Sequence, residues 1–181
     1  MTASLDSSQV QTAMDPKMRR QHGVLYTCEK NIFKVIRPQF LDDLRAELVS
    51  TKGDEHALRG FHEKLCSLSF FDPACGCGDF LVIAYRELRL LEEQVLRAIG
   101  PDYDADWRVG VDQFYGIELD PVAAQTARDA LLHMDREIQG SGRCTQRPYR
   151  TPLETVAPHI VHGNALELDW VRILFDNDAL I

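Results

Sequence analysis

One stretch constrains the fold more than any other part of the sequence: residues 68–102, LSFFDPACGCGDFLVIAYRELRLLEEQVLRAIGPD. A short apolar run ends at Asp72, a glycine-rich turn follows, and apolar residues recur at helical spacing from Asp79 onward. This order predicts a buried strand, a tight turn and a long helix. Gly100 and Pro101 are typical of a helix end. Because one face of the helix is apolar, we expect it to pack against a sheet in an α/β fold.

Two later segments repeat the order of strand and helix. A second buried strand is predicted for residues 114–120, FYGIELD, and Pro121 is typical of the start of a helix. A third short strand, a turn and the beginning of a last helix are predicted for residues 159–170, HIVHGNALELDW. These segments share the order of strand and helix, but the amino-acid sequence itself contains no internal repeat.

The first part of the chain lacks this alternation. Residues 1–20 are rich in Ser, Thr, Gln and Asp without apolar periodicity, which predicts a flexible N-terminal arm. Residues 21–66 predict a helical segment, whose first helix is capped by Thr27 and kinked or broken at Pro38. Residues 67–181 then contain the α/β part. The helical segment carries its apolar residues at Ile32, Phe33, Val35 and Ile36, then at Phe40, Leu41, Leu44 and Leu48, and in a short helix from Leu58 to Cys66.

Composition excludes several classes of protein. The chain has 181 residues, of which 45% are hydrophobic, and 20 Lys+Arg against 28 Asp+Glu give a net charge of -8. Such an acidic chain is a poor non-specific ligand of nucleic acids, because phosphates are neutralised by Lys and Arg. No apolar run is long enough for a membrane helix or a signal peptide, which predicts a cytoplasmic domain with no membrane partner. The five cysteines lack paired CxxC spacing, so we expect reduced thiols.

The glycine-rich turn is a candidate ligand site. Ligands of parallel sheets bind at the carboxyl ends of strands, where Gly76 and Gly78 allow close approach and Asp72 can accept hydrogen bonds from a cationic or amino group. Dinucleotide enzymes also place GxGxxG there, with an acidic residue about 20 positions further on. This sequence fits that pattern poorly, because Leu81 takes the third glycine position and Glu118 lies more than twice as far along the chain.

The segment FFDPACGCGDFLVIAYREL resembles motif I, with the signature DPACGxGxFL, of the S-adenosylmethionine-dependent DNA amino-methyltransferases. It is most similar to the large bacterial methyltransferases of restriction-modification systems, including single-chain enzymes that fuse endonuclease, methylase and target recognition. Further matches are HGVLYTCEKNIFKVIRPQFLDDL, VDQFYGIELDPVAAQTA and IVHGNALELDW, and together they span about residues 20–172. The resemblance implies a partial Rossmann-like class I methyltransferase fold. It would contain N-terminal helices with motif X and the first half of the doubly wound sheet.

The resemblance also implies a set of residues that bind the cofactor, S-adenosylmethionine. Glu118 would bind the ribose hydroxyls with its two carboxylate oxygens, and Ile117 or Leu119 would contact the adenine face. Asn164 takes a position that is often Asp, and Asp79 takes one that is often Asn and is expected to matter little. The other implied residues are Tyr26 and Thr27 at the methionine end, Asp72, Pro73, Ala74, Gly76 and Gly78 in motif I, and Asn164 with Ala165 at the adenine edge.

The function implied is transfer of a methyl group from S-adenosylmethionine to an exocyclic base amine, adenine N6, in a restriction-modification system. Such enzymes position the target amine with a motif [DNS]PP[YFW], and this sequence contains no Pro-Pro. We therefore expect the cofactor-binding part of a methyltransferase, inactive alone, without a catalytic residue and with DNA bound through other segments. The alternatives are a catalytically inactive remnant that acts as a binding module, and an enzyme that methylates an RNA or protein amine.

In this fold the motif I strand is flanked on its other side by the strand that carries the Pro-Pro motif. With the sequence ending at Ile181, that edge is expected to be open. An unpaired strand is a template for association. We therefore expect self-association through this edge, coverage by a terminal segment of the same chain, or marginal stability.

Other polar residues receive structural interpretations. Cys75 and Cys77, with Cys66 and His62 nearby, favour small-residue packing over a metal site, so no metal is expected. Arg86, Arg89 and Arg97 lie among Glu87, Glu92 and Glu93 on the long helix, which favours a solvated face with salt bridges over a DNA-binding track. Lys17, Arg19 and Arg20 form a short basic cluster, for which a linker is favoured over a contact with DNA or another domain. For His133, His159 and His162 we expect ordinary surface or core roles.

Overall fold

The computed structural model describes residues 27–100, 108–141 and 156–175, which form helices around a parallel sheet. The helices are α1 (Glu29–Ile36), α2 (Asp42–Ser50), α3 (Glu55–Ser67), α4 (Asp79–Ile99), α5 (Pro121–Gly140) and α6 (Trp170–Phe175). The strands are β1 (Phe70–Asp72), β2 (Phe114–Glu118) and β3 (His159–His162). This confirms the α/β fold with N-terminal helices and a partial sheet. Predictions for residues 1–26, Tyr26 among them, and for residues 101–107, 142–155 and 176–181 lie outside the described residues.

The three strands are parallel, in the order β1-β2-β3. In the register, Asp72 of β1 lies opposite Gly116, and Glu118 of β2 lies opposite His162. The carboxyl ends of the strands therefore meet at one edge of the sheet, where ligands of such folds bind. β1 forms one side of the described sheet, and association through it stays a prediction.

The two faces of the sheet are covered unequally. Most buried apolar side chains, such as Leu88 and Phe114, belong to one core between the sheet and helices α1 to α5. The other face has a small cluster of Tyr115, Ile117 and Ile173, which is covered by α6. Helix α4 joins the main core because its apolar residues recur along one side, as the spacing predicts.

Three helix boundaries differ from those predicted. The cap position of α1 is Cys28, without a side-chain hydrogen bond, so the prediction of Thr27 as cap is wrong by one residue. Pro38 causes no break, because the chain passes from α1 to α2 through a π-helical stretch, Arg37–Leu41. Helix α3 begins at Glu55 rather than Leu58, because the Asp54 carboxylate accepts a hydrogen bond from the Ala57 N–H at 3.1 Å.

The solvated charged face predicted for α4 is wrong for most of its residues. Arg89 is 2% exposed and Glu92 is 0% exposed, whereas Arg97 does extend into solvent. Arg89 Nη1 donates to the Val109 carbonyl at 2.8 Å and to Glu92 Oε2 at 3.1 Å. Buried charges of this kind are tolerated when they are paired and hydrogen-bonded. In the part of the chain that the structure describes, no helix is both long and apolar enough to span a bilayer.

Candidate ligand site at the carboxyl ends of the strands

A cavity of about 620 Å³ opens where β1 and β2 end. One part of its lining is acidic, with carboxylates from Asp72, Asp79, Glu118 and Asp120. Another part is apolar and comes from α1, the π-helical stretch, β1 and the first turns of α4. Its larger members are Val35, Ile36, Phe40, Phe70, Phe71, Phe80 and Leu81. Such a mixed lining suits a ligand with apolar and polar ends.

The loop between β1 and α4 lies against the end of β2. The Cys75 N–H donates to the Ile117 carbonyl at 3.0 Å, and the Gly76 N–H donates to Glu118 Oε2 at 2.8 Å. Gly78 has a φ of +85°, and a Cβ at this position would lie 3.0 Å from both Cα and Cβ of Ala127. Only glycine combines that backbone conformation with such close packing of a loop on a helix.

Gly116 of β2 is a residue that the sequence prediction of the site missed. A Cβ there would lie 2.8 Å from Cys75 Sγ and 2.9 Å from Ile160 Cδ1. The absent side chain therefore lets the loop approach the strand. A glycine inside the buried run FYGIE is the signal that was available, because glycine in a strand often marks close approach of another segment.

Cys75 fills the space above Gly116 and is only 6% exposed. Burial, together with the negative charges of Asp72 and Glu118, raises the pKa of the Cys75 thiol to about 12. Burial also raises the pKa of the Cys77 thiol. Since the thiolate is the nucleophilic form, Cys75 is a packing residue near neutral pH.

Glu118 lies at the centre of the polar part of the site. Its Oε2 accepts from the Gly76 N–H at 2.8 Å, and its Oε1 accepts from the Asp120 N–H at 3.0 Å. These two bonds fix the orientation of the half-buried carboxylate, which also lines the cavity. A carboxylate has about four acceptor positions, so two more are available for donors of a ligand.

Asp72 and Asp79 line the same cavity as Glu118. Asp72 accepts a hydrogen bond from the Ala74 N–H at 3.0 Å, and Asp79 accepts one from the Thr27 N–H at 3.1 Å. Burial raises the pKa of Asp72 and, to a lesser extent, so does the charge of Glu118, while the bond from Ala74 lowers it. Burial also raises the pKa of Asp79, and the bond from Thr27 lowers it. The site therefore concentrates negative charge where a cationic or donor-rich ligand would be favoured.

The cavity brings together six of the residues predicted from sequence, and it also includes residues that were not predicted. The predicted residues in its lining are Thr27, Asp72, Pro73, Ala74, Gly76 and Glu118. Gly78 is buried beneath the loop, and Leu119 is 68% exposed beyond the end of β2. Asp79 and Asp120 line the cavity although neither was expected to contribute. No signal in the sequence indicated that Asp120 lines the cavity. Its place directly before Pro121 indicates only a helix cap, and Asp120 does cap α5.

Asn164 and Ala165 lie after β3 and outside the lining of the cavity. The Gly163 N–H donates to the Glu118 carbonyl at 2.9 Å, which holds this turn beside the end of β2. The Asn164 side chain stabilises its own turn, accepting from the Leu166 N–H at 3.1 Å and donating to Glu167 Oε1 at 2.8 Å. Both residues thus share the sheet edge with Glu118.

Among the described residues, His62, Cys66 and Glu92 place their ligand atoms within 4.8 Å of one another. Glu92 Oε1 lies 3.1 Å from His62 Nε2 and accepts from the N–H groups of Arg108 and Val109 at 2.6 and 3.0 Å. Its other oxygen pairs with the Arg89 guanidinium. The oxygens are already engaged next to a fixed cation, so the group acts as a structural network between α3, α4 and the segment before β2.

Comparisons with known proteins give consistent results. A family model described as "MmeI, DNA-methyltransferase domain" matches residues 48–179. DNA methyltransferase A of Bacillus subtilis is 33% identical over 173 residues, which cover 92% of this chain and 20% of that protein. A putative type II restriction enzyme and methyltransferase of Methanocaldococcus jannaschii is 28% identical over 91 residues, or 49% of this chain and 8% of that protein.

A solved structure supports the same relationship. It is the type IIL restriction-modification enzyme MmeI in complex with DNA, which matches with a TM-score of 0.77 and 46% sequence identity. The match covers 92% of this chain and 23% of that one. The chain thus spans about a fifth of the first curated relative and under a quarter of the solved one.

Proposed function

Because the chain belongs to the family of the MmeI DNA-methyltransferase domain, we propose that its cavity binds S-adenosylmethionine and that it is the cofactor-binding part of a DNA methyltransferase. The acceptor of the methyl group is an exocyclic base amine, adenine N6, in a restriction-modification system. The solved relative was obtained in complex with DNA, which supports DNA as the substrate. The whole enzyme's activity and DNA contacts form part of this proposal.

The observation that carries the proposal is the Glu118 carboxylate, which lines the cavity beside the glycine-rich loop. It ends a parallel strand, faces the cavity, and is oriented by the N–H groups of Gly76 and Asp120. Its remaining acceptor positions suit two neighbouring hydroxyls, such as those of a ribose. These acceptor positions therefore fit the hydroxyl donors of the cofactor's ribose.

The rest of the lining fits the other parts of the same molecule. Asp72 and the exposed backbone around Ala74 and Gly76 suit the methionine and ribose side, where the ligand carries ammonium and sulfonium charges. Thr27, with Tyr26 before it, is proposed for the methionine end. Leu119, Asn164 and Ala165 are proposed for the adenine because their turns lie beside Glu118.

When bound, S-adenosylmethionine supplies a methyl group activated by the sulfonium. This chain's residues would hold and orient that group and exclude water from it, which lowers the entropic cost of reaction with an amine. The 181 residues contain no Pro-Pro, so no residue here is assigned to the target amine. Cys75 is likewise not assigned as a nucleophile, since burial raises the pKa of its thiol.

The test is calorimetric titration of the purified chain with S-adenosylmethionine and S-adenosylhomocysteine, with circular dichroism to verify folding. We expect saturable binding that Glu118→Ala weakens about tenfold or more, because hydrogen bonds to a charged group are lost. Glu63→Ala, which alters an exposed carboxylate on α3, is the matched control and should bind like wild type. A folded wild-type chain that binds neither compound, or Glu118→Ala binding unchanged, would contradict the proposal.

A further inference from the structure

Asp79 joins the first helix of the chain to the ligand site. It is the first residue of α4, and its Oδ2 accepts a hydrogen bond from the Thr27 N–H at 3.1 Å, across 52 positions of sequence. Both residues line the cavity. The contact therefore determines where the chain that leads into α1 meets the mouth of the cavity.

A second contact fixes the direction of the same helix. Glu29, in the first turn of α1, forms an ion pair of 2.5 Å with Arg86 of α4. Asp79 and Arg86 are seven residues apart, so they lie two turns apart on one face of α4. The Arg86 guanidinium also lies over the Phe33 ring, 5.9 Å from its centre. With α1 held along α4 in this way, the bond at Asp79 decides only the position of Thr27 and Cys28, which lead into α1.

The Asp79 carboxylate also suits its place in the helix. An acidic residue in the first turn of a helix interacts favourably with the unpaired N–H groups at that end. It is half-buried, and the Thr27 amide is the partner that offsets part of its desolvation. Removing the carboxylate therefore releases Thr27 from the site, whereas an amide side chain could still accept the bond.

We propose that Asp79 is a positioning residue of the ligand site, which holds Thr27 at the rim of the cavity through the backbone hydrogen bond. This rests on the proposed function, since the ligand is the cofactor named there. The feature required is an acceptor oxygen rather than the negative charge. We therefore expect loss of the Asp79 side-chain acceptor to weaken ligand binding, in contrast to the expectation from sequence. Exchange of Asp79 with asparagine should still have little effect on binding.

The experiment compares three variants of the purified chain by titration with S-adenosylhomocysteine. Asp79→Ala should weaken binding about five- to tenfold, the effect of one lost hydrogen bond of ordinary strength. Asp79→Asn should bind within about twofold of wild type, because its carbonyl oxygen can accept the same bond. Asp54→Ala is the matched control, because it also removes a carboxylate that accepts one backbone N–H but lies at the start of α3, outside the lining.

A second measurement follows the contact directly. Hydrogen exchange of the Thr27 amide should become faster in Asp79→Ala and stay unchanged in Asp79→Asn and Asp54→Ala. If Asp79→Ala does not fold, Thr27→Pro removes the donor N–H instead and should weaken binding to the same extent. These readouts separate a positioning role from a general loss of stability, which Asp54→Ala would share.

The outcomes separate this inference from the proposed function. Wild type that fails to bind overturns both. If wild type binds and Asp79→Ala binds equally well, or Asp79→Asn is as weak as Asp79→Ala, only the positioning role is overturned. Equal weakening by Asp54→Ala, or an unchanged Thr27 exchange rate in Asp79→Ala, overturns it as well.

Discussion

Two regions of the molecule use carboxylates in opposite ways. Glu92, between α3 and α4, is fully buried and interacts with His62, Arg89 and the N–H groups of residues 108 and 109. Asp72, at the cavity, is only half-buried and accepts one bond, from the Ala74 N–H. The first carboxylate has partners for its whole hydrogen-bonding capacity, whereas the second has most of its capacity unused.

The difference indicates which charges serve the fold and which serve a ligand. A buried carboxylate without partners is costly, so Glu92 is compatible with folding only because its network is complete. Burial of Asp72 also costs free energy, and its single hydrogen bond does not offset that cost fully, so the pKa of Asp72 is raised. A ligand that supplies the missing donors would offset it. Substitutions should therefore have opposite effects on stability in the two regions.

The largest effect is expected for Glu92→Ala, which should lower the free energy of unfolding by about 3–5 kcal/mol. It leaves the Arg89 charge buried beside the vacated position and removes the acceptor of two backbone N–H groups. Urea denaturation followed by circular dichroism measures the change. Cofactor affinity of the remaining folded protein should be unaffected, because Glu92 does not line the cavity.

Glu55→Ala provides the matched control for this prediction. Glu55 makes an ion pair with Arg59 at 2.5 Å on the exposed side of α3. Exposed pairs of this kind contribute about 0.3–0.5 kcal/mol, so the control should be nearly neutral. Similar losses for the two variants would show that the buried network contributes no more than a surface pair.

A smaller effect is expected where the cavity loop contacts the sheet. Gly116→Ala places a methyl group 2.8 Å from Cys75 Sγ and 2.9 Å from Ile160 Cδ1, so the loop must move away from β2. We expect a loss of stability of about 1–3 kcal/mol, as for other overpacked sites. Cofactor affinity should also fall, because the loop carries Gly76 and its bond to Glu118. Urea denaturation and calorimetry measure the two effects.

Two variants sharpen the comparison. Adding Cys75→Ala removes Sγ but leaves the Cβ contact of 3.2 Å and the contact with Ile160, so it should restore only part of the lost stability. Gly140→Ala, where no heavy atom lies within 4 Å of the new Cβ, should be neutral or slightly stabilising. Equal stability of Gly116→Ala and Gly140→Ala would refute the packing role of Gly116.

These contacts also show how far sequence analysis reaches. The strand, turn and long helix within residues 68–100 were predictable because apolar periodicity and the helix-ending Gly100 act through local structure. The placement of Asp72 and Glu118 at one sheet edge was also predictable, because parallel strands bring their carboxyl ends together.

What could not be predicted depends on contacts between distant segments. Arg89 and Glu92 follow the pattern of an exposed salt-bridged helix, and only the packing of α3 and residues 108–109 against α4 buries them. The bond between Asp79 and Thr27 likewise joins residues 52 positions apart. Periodicity records which side chains are apolar and contains no information on which polar side chains find partners within the fold.

The smallest effect is expected for Asp72→Asn, and its sign is opposite to that for Glu92. Burial raises the pKa of Asp72 in the folded chain above the value of about 3.9 in the unfolded chain, so folding favours the protonated form. Ionisation of Asp72 therefore lowers the free energy of unfolding. This loss is absent below the pKa of the unfolded chain and complete above the pKa of the folded chain. Asparagine has no such loss and can still accept the Ala74 N–H. At pH 7 the variant should be more stable than wild type, by under about 1 kcal/mol because the site is partly screened by solvent.

The pH dependence makes this prediction specific. The stability difference between Asp72→Asn and wild type should be smallest at about pH 3, below the unfolded pKa of about 3.9 where the Asp72 carboxyl is mostly protonated in both states, and should grow toward pH 7. Carboxylates that do not interact with Asp72 cancel in the difference, whereas Glu118, whose charge acts on Asp72, contributes to it. Binding of S-adenosylmethionine at pH 7 should weaken in the variant, since the negative charge that favours a cationic ligand is gone. A variant that is less stable than wild type at pH 7, or a difference that does not vary with pH, would mean that the Asp72 charge serves the fold as Glu92 does.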